Sequence, residues 1–156
     1  MNNIQMDALV IGGGIAGMQA ALDLADQGHQ VALVEREPSI GGKMITLSKV
    51  FPTLDCCSCI TTPKMSAVAH HPNIRLFTYC EVQAIKENGA GFHVEVVQKP
   101  RYVDESKCTG CTLCAKNCPT AAIIGTVKNP HVIVNEKCIS CGSCHIVCRF
   151  GAVSKA

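Results

Sequence analysis

The sequence predicts two domains of different class, an incomplete α/β domain over residues 1–98 and an α+β domain over residues 99–156. Two observations predict this division. The first part alternates strand and helix patterns around a glycine-rich turn, and the second part repeats its own cysteine spacing at an offset of 30 residues. The change falls at residues 98–102, QKPRY, where a proline and charged residues interrupt the strand pattern.

Composition narrows the chemistry of the chain. Twelve cysteines occur in 156 residues, and the first residues show no basic start followed by a signal-type apolar stretch. In a reducing compartment so many cysteines indicate metal binding or redox chemistry rather than disulfides. The net charge is +2 without a basic run, and no apolar run reaches the roughly 18 residues of a membrane span. We therefore expect a cytoplasmic protein with no nucleic-acid partner and no transmembrane segment.

The first domain has the pattern of a dinucleotide-binding, Rossmann-like half-domain. Residues 7–14, DALVIGGG, form an apolar run that ends in glycines, as buried parallel strands do. Residues 15–28 carry apolar side chains at helical spacing and end at a glycine, and residues 29–37 predict a second buried strand. A loop rich in Gly, Ser and Pro follows, and residues 73–100 predict further strands.

The turn after the first strand carries the spacing G-x-G-x-x-G at Gly12, Gly14 and Gly17, and Glu35 follows 18 residues later. Glycine at these positions permits a tight turn, lets the backbone approach a pyrophosphate, and lets helix and strand pack closely. The helix N-terminus offers unpaired N–H groups to phosphates. Glu35 can accept hydrogen bonds from a ribose diol, and its charge would repel the 2′-phosphate of NADP. A glycine-rich turn without a ligand is the alternative interpretation.

A second glycine pair, Gly41 and Gly42, lies six and seven residues after Glu35. This spacing resembles the FAD-binding flavoproteins of the two-dinucleotide type, in which such a pair lies against the cofactor. Lys43 either approaches a phosphate or the flavin, or is a solvated lysine. The predicted FAD-binding residues are Gly12, Gly13, Gly14, Ile15, Ala16, Gly17, Glu35, Arg36, Gly41, Gly42 and Lys43.

The second domain contains two cysteine runs of identical spacing, C-x2-C-x2-C-x3-C. Three cysteines of such a run wrap one face of a [4Fe-4S] cluster, and the fourth reaches the other cluster from a helix. The first cluster is therefore predicted at Cys108, Cys111, Cys114 and Cys148, and the second at Cys138, Cys141, Cys144 and Cys118. Zinc, the alternative, would not need the third cysteine of each run. Arg149 stands where the first run has Pro119, and His145 is expected to tune the second cluster or to face solvent.

These motifs together resemble a known family. Residues 102–156 resemble a bacterial-type two-cluster ferredoxin. The flavoprotein start, "FPTLDCCSCITTPKM", "HPNI" and "KPRYVDESKCTGCTLC" resemble the flavin- and iron–sulfur-containing subunit of heterodisulfide reductase over nearly the whole chain. In that family a thioredoxin-reductase-like FAD domain is interrupted by a ferredoxin insert.

The resemblance implies an iron–sulfur flavoprotein that is active as one subunit within a complex. Its partners would be the other subunits of a heterodisulfide-reductase-like complex, as found in methanogenesis, and a hydrogenase or formate dehydrogenase module that supplies electrons. The alternative function is a non-enzymatic ferredoxin-type carrier that uses its dinucleotide-binding half-domain for docking.

Four cysteines lie outside the repeat: Cys56, Cys57, Cys59 and Cys80. The first three are predicted in a loop beside the cofactor site, and Cys80 ends a predicted strand. Cys56 and Cys59 could hold part of a third [4Fe-4S] cluster that Cys57, Cys80 or a partner completes. A redox-active dithiol and free structural thiols are the two other interpretations.

Overall fold

The computed structural model describes residues 3–89 and 91–154. The chain divides into two compact units, Met1–Lys99 and Pro100–Ala156. Each unit has its own hydrophobic core.

The first unit is built on a parallel three-stranded sheet. Its strands are β1 (Ala8–Ile11), β2 (Val31–Glu35) and β3 (Ile74–Thr78), in the order β1-β2-β3. All five residues of β2 are buried, as expected for a central parallel strand that is covered on both faces.

Two helices belong to this sheet, α1 (Ile15–Asp26) and α2 (Cys57–His70). Helix α1 buries Met18, Ala21 and Ala25, which are spaced three and four residues apart and so share one face. They join Leu33 of β2 and Val68 of α2 in the core. The expected strand, glycine turn, helix and strand are thus all present.

Helix α2 corrects a prediction. The sequence predicts a loop between the second and third strands, which is wrong for Cys57–His70 because these residues form a helix. Pro63 lies inside it and removes one backbone donor. The apolar residues follow no clear helical stripe, so the helix depends on packing against α1 rather than on its own sequence pattern.

The remainder of the first unit is an antiparallel hairpin, β4 (Cys80–Glu87) and β5 (Phe92–Gln98). Cys80 begins β4 rather than ending the preceding strand. A short 3₁₀ helix, Gly42–Thr46, follows the second glycine pair.

The second unit has two short helices, α3 (Leu113–Lys116) and α4 (Ser143–Val147), and the two-stranded antiparallel ribbon β6 (Ile123–Ile124) and β7 (Val132–Ile133). A 3₁₀ turn, Asn135–Lys137, precedes the second cysteine run. The core reproduces the sequence repeat, since its buried aliphatic residues form pairs 30 positions apart. These pairs are Val103 with Ile133 and Ile123 with Val153.

Candidate cofactor sites

The glycine turn closes tightly against the start of α1. Gly12 adopts φ +102°, a left-handed conformation that favours glycine. A Cβ atom on Gly17 would lie 1.9 Å from the carbonyl oxygen of Gly12, so only glycine lets the helix approach the turn this closely. Gly14 is the N-cap of α1 and has no side chain to cap the helix. The first N–H groups of α1 therefore remain available to a ligand.

Glu35 ties the end of β2 to this turn. Its side chain is 8% exposed. Oε2 accepts a hydrogen bond of 2.5 Å from the Gly13 N–H, and Oε1 accepts one of 2.8 Å from the Glu37 N–H. A carboxylate has about four acceptor positions, so these bonds leave capacity for ribose hydroxyls.

The second glycine pair lies against the first glycine turn. The Gly41 N–H donates a hydrogen bond of 2.7 Å to the Gly13 carbonyl. A Cβ atom on Gly42 would lie 3.1 Å from the Cα of Gly14. The two glycine segments are distant in sequence and adjacent in space, and together they form one surface made largely of backbone atoms.

The other predicted FAD-binding residues lie at the border of this surface. Ile15 and Ala16 open helix α1. Arg36 is exposed and approaches Glu37, with Nε 3.7 Å from Oε1. Lys43 is exposed and belongs to the 3₁₀ helix. The backbone of the glycine segments, rather than these side chains, makes up the centre of the surface.

Two cavities in the second unit are each lined by four cysteines. The first cavity is lined by Cys108, Cys111, Cys114 and Cys148, and the second by Cys138, Cys141, Cys144 and Cys118. Each cavity thus gathers three cysteines of one run and the last cysteine of the other. Cys118 and Cys148 follow α3 and α4 rather than lying within them.

The cysteine thiols accept backbone hydrogen bonds in matching positions of the two repeats. The N–H of Ala122 donates to Cys118 Sγ and the N–H of Ala152 to Cys148 Sγ, each at 3.3 Å. Such donors stabilise thiolate sulfur. The cavities therefore offer what an anionic, thiolate-bound iron–sulfur cluster requires.

In the second cavity, side-chain hydroxyl groups also stabilise thiolate sulfur. Cys141 Sγ lies 3.5 Å from Ser143 Oγ, and this hydrogen bond lowers the pKa of the Cys141 thiol. Burial acts to raise the pKa of Cys118, but hydrogen bonds from the Thr120 hydroxyl and from nearby backbone N–H groups outweigh burial and lower it.

The thiol pKa of the third cysteine in each run shifts in the opposite direction. Burial raises the pKa of both Cys114 and Cys144. A bound metal cation would have to offset this desolvation when the thiols ionise.

The cysteine cavities do not have the geometry of a single-ion site. Among residues 3–89 and 91–154, no three His, Cys, Asp or Glu side chains are grouped so as to hold one metal ion. A zinc ion would need sulfur ligands at about 2.3 Å from one centre. The cysteines of each cavity instead surround a space, about 340 Å³ in the first and 470 Å³ in the second with their open mouths included.

Two family models match the chain. The FAD dependent oxidoreductase model matches residues 7–101. The chain belongs to this family. A 4Fe-4S dicluster domain model matches residues 101–149. The prediction of FAD and of a [4Fe-4S] dicluster as cofactors is thus confirmed, and the chain joins a flavin segment to an iron–sulfur segment.

Curated relatives extend the similarity over both segments. The chain is 47% identical to the iron–sulfur subunit of CoB-CoM heterodisulfide reductase from Methanocaldococcus jannaschii, with 96% of this chain and 25% of that protein covered. It is 46% identical to the corresponding subunit of the H(2):CoB-CoM heterodisulfide,ferredoxin reductase from Methanothermobacter marburgensis, with 94% and 25% covered. The resemblance to this heterodisulfide reductase subunit is confirmed. The chain spans about a quarter of the length of these relatives.

Solved structures agree with the fold of the flavin segment. L-proline dehydrogenase from P. horikoshii superposes with a TM-score of 0.55 at 27% identity, covering 61% of this chain and 19% of that one. T. acidophilum thioredoxin reductase superposes with a TM-score of 0.51 at 23% identity, covering 65% and 40%. The Rossmann-like prediction is confirmed.

The helices α1 to α4 are between 4 and 14 residues long. Within residues 3–89 and 91–154, none of them has the length and apolar character needed to cross a membrane.

The four remaining cysteines of the chain fall into two environments. Cys56 is the N-cap of α2, and its thiol forms a hydrogen bond with that of Cys59. This bond lowers the pKa of Cys56 and raises that of Cys59. Cys57 is fully buried, and Cys80 donates a hydrogen bond of 3.3 Å to the Thr78 carbonyl. The structure thus brings Cys56 and Cys59 together at a helix start, where the sequence predicted a loop.

Sequence reasoning missed one residue that lines the first cysteine cavity, His131. It lies seven residues before a cysteine, which is not a metal-binding pattern. The missed signal is its burial, which only the fold reveals. His145, by contrast, lines the second cavity, and its Nδ1 lies 2.6 Å from the Val153 carbonyl oxygen.

Proposed function

We propose that this chain passes electrons between FAD, bound by residues 1–98, and two [4Fe-4S] clusters, bound by residues 99–156. The observation that carries the proposal is the crossed grouping of cysteines, since each cavity is lined by three thiols of one run and one of the other. That arrangement suits two cubane clusters held in one small unit. Bound FAD would supply hydride and single-electron chemistry, and the clusters would supply single-electron transfer.

The protein's part at the FAD site is to bind and orient the adenosine end of the cofactor. The free N–H groups at the start of α1 would face the pyrophosphate. Glu35 would accept hydrogen bonds from the ribose while it keeps the Gly13 and Glu37 N–H groups paired. Gly41 and Gly42 would allow close approach of the cofactor because they carry no side chain.

The protein's part at the clusters is to supply thiolates and hydrogen bonds. The ligands would be Cys108, Cys111, Cys114 and Cys148 for the first cluster and Cys138, Cys141, Cys144 and Cys118 for the second. Backbone N–H groups of Ala122 and Ala152 would partly neutralise the thiolates that cross between the repeats.

The similarity to heterodisulfide reductases supports a larger assembly. We infer that the chain works with other subunits of a heterodisulfide-reductase-like complex, because relatives at 46–47% identity are named as subunits of such enzymes. A hydrogenase or formate dehydrogenase module is the proposed electron source, and the cytoplasm the proposed location, where twelve cysteines would stay reduced.

The Cys56–Cys59 pair supports an additional redox role. A third [4Fe-4S] cluster would use this pair with ligands from Cys57, Cys80 or a partner. The hydrogen bond between the two thiols and the lowered pKa of Cys56 favour the second candidate, a C-x-x-C dithiol at a helix start. Iron analysis distinguishes them, since a third cluster would raise iron from about eight to about twelve atoms per chain.

The test is electron transfer within the purified chain. The chain would be prepared anaerobically, alone and together with its partner subunits, and its flavin reduced by light with a sacrificial donor. Appearance of reduced-cluster EPR signals in step with flavin reoxidation would support the proposal. Clusters in a chain that binds no flavin in either preparation would instead support the ferredoxin-type carrier.

A further inference from the structure

His131 is a buried histidine beside the first cysteine cavity. It directly precedes β7, is 1% exposed, and lines the cavity together with Cys108, Cys111, Cys114 and Cys148. In the part of the chain that the structure describes, neither Nδ1 nor Nε2 of its ring has a hydrogen-bond partner.

His131 is held in place by one contact of its backbone and one of its ring. The backbone N–H of His131 donates a hydrogen bond of 3.4 Å to Cys108 Sγ. A Cβ atom on Gly125 would lie 2.8 Å from Cγ and 2.9 Å from Cδ2 of the imidazole. The ring therefore packs directly on the Gly125 backbone, because the side chain of any larger residue at position 125 would occupy the same space.

A buried imidazole requires a partner whatever its protonation state. The neutral ring carries one N–H and the charged ring two, so at least one donor is always present. A buried donor without an acceptor is costly. The cavity that His131 lines is surrounded by thiols, and a bound cluster would bring sulfide and thiolate sulfurs into it as acceptors.

We propose that a ring N–H of His131 donates a hydrogen bond to a sulfur of the first cluster and raises the reduction potential of that cluster. This inference rests on the proposed cluster ligands. A hydrogen bond to sulfur stabilises the more negative, reduced cluster more than the oxidised one, which raises the potential. His131 is thus a residue that adjusts the potential of a cofactor and is not a ligand.

The effect is specific to one cluster. The residue 30 positions before His131 is Arg101, which forms an ion pair with Glu105 and does not line the second cavity. The histidine of the second cavity, His145, has one ring nitrogen engaged by the Val153 carbonyl. The repeat therefore provides the first cavity with a buried imidazole that the second lacks.

The test is an EPR-monitored redox titration of the chain and three variants, with iron determined in each. His131→Phe fills the space without a donor and should make the potential of one cluster more negative while leaving the other unchanged. His131→Gln keeps an N–H donor and should restore part of the shift. His93→Phe, an exposed histidine in β5, is the matched control and should change neither potential.

The outcomes distinguish a failure of this inference from a failure of the proposed cluster ligands. Two unshifted potentials in His131→Phe, with about eight irons retained, would overturn the role of His131 alone. A wild-type chain without two clusters would overturn the ligand proposal itself.

If His131→Phe loses iron, a second measurement replaces the redox titration. Pulsed EPR of the reduced, ¹⁵N-histidine-labelled chain carrying His145→Phe should show a ¹⁵N coupling to one cluster. Absence of that coupling would contradict the hydrogen bond.

Discussion

The two units build their sites from different kinds of atoms, main chain in the first and side chain in the second. In the first unit the site is mostly main chain, made of glycines whose missing side chains leave room for a ligand, with Gly17 packed so that a Cβ atom would lie 1.9 Å from the carbonyl oxygen of Gly12. In the second unit the site is made of side chains, eight thiols that line two cavities. Adding atoms should therefore damage the first site, and removing atoms should damage the second.

The two cavities also differ from each other although their backbones match. The Asp104 N–H donates to the Ala152 carbonyl and the Val134 N–H to the Ala122 carbonyl, both at 2.8 Å and 30 residues apart. The side chains around the thiols diverge, because Ser143 and Thr120 of the second cavity correspond to Leu113 and Phe150 of the first. The repeated backbone sets where the thiols lie, and the unmatched side chains make the two sites electrostatically unequal.

Loss of a crossing cysteine should have the largest effect on the second unit. Cys148→Ala belongs to the second run by sequence but should remove the first cluster, lowering iron from about eight to about four atoms per chain. Cys114→Ala should remove the same EPR signal, and Cys144→Ala the other one. If Cys148→Ala and Cys144→Ala removed the same signal, the crossed assignment would be wrong.

Addition of a methyl group at Gly17 should have the largest effect on the first unit. Gly17→Ala places Cβ against the Gly12 carbonyl, so the turn must open and FAD binding should be lost while the iron content is kept. Gly91→Ala is the control, since a Cβ atom there meets nothing within 4 Å. Flavin absorbance and iron analysis of the purified variants measure both effects, and normal flavin content in Gly17→Ala would contradict the tight turn.

Removal of the Glu35 charge should have an intermediate effect. Glu35→Gln replaces one acceptor by a donor, which leaves the Gly13 or Glu37 N–H unpaired at a cost of about 1–3 kcal/mol. The expected result is weaker FAD binding, measured by flavin fluorescence during titration of the flavin-free chain. Glu37→Gln, at an exposed position just after β2, serves for comparison, and equal affinities in the two variants would count against Glu35.

Removal of a hydroxyl from the second cavity should have a smaller effect. Ser143→Ala deletes the hydrogen bond to Cys141. A hydrogen bond of about 1 kcal/mol corresponds to about 40 mV for one electron, so the second cluster's potential should fall by an amount of that order. The reciprocal variant Leu113→Ser should raise the potential of the first cluster. Shifts of the same sign in both would refute the account of the difference.

The smallest predicted effect concerns the thiol pair of α2. Hydrogen bonding from Cys59 lowers the pKa of Cys56 below its usual value of 9.0, so Cys56 should be the more thiolate-rich of the two at any pH below that value. Alkylation of the reduced, metal-free chain, followed by peptide mass spectrometry across pH, should show Cys56 reacting first. Cys59→Ala should move the reaction of Cys56 to higher pH, and an unchanged pH profile would argue against the pair.

The sequence predicted some features and not others for physical reasons. The strand, the glycine turn and the helix were predictable because their sequence patterns are local. The two cysteine sets were predictable because their spacing reflects cluster geometry. The same sets line the two cavities, while their ligation of iron stays a prediction. Helix α2 was not predictable because Pro63 and an irregular apolar pattern conceal it. His131 escaped notice since its burial depends on Gly125, which is distant from any motif.

Metal and flavin content of the anaerobically purified chain tests the central claim most directly. The account predicts about eight iron atoms and as many sulfides in two [4Fe-4S] clusters, with FAD bound to the chain alone or with its partner subunits. A chain that binds zinc in place of iron, with no FAD in either preparation, would contradict it.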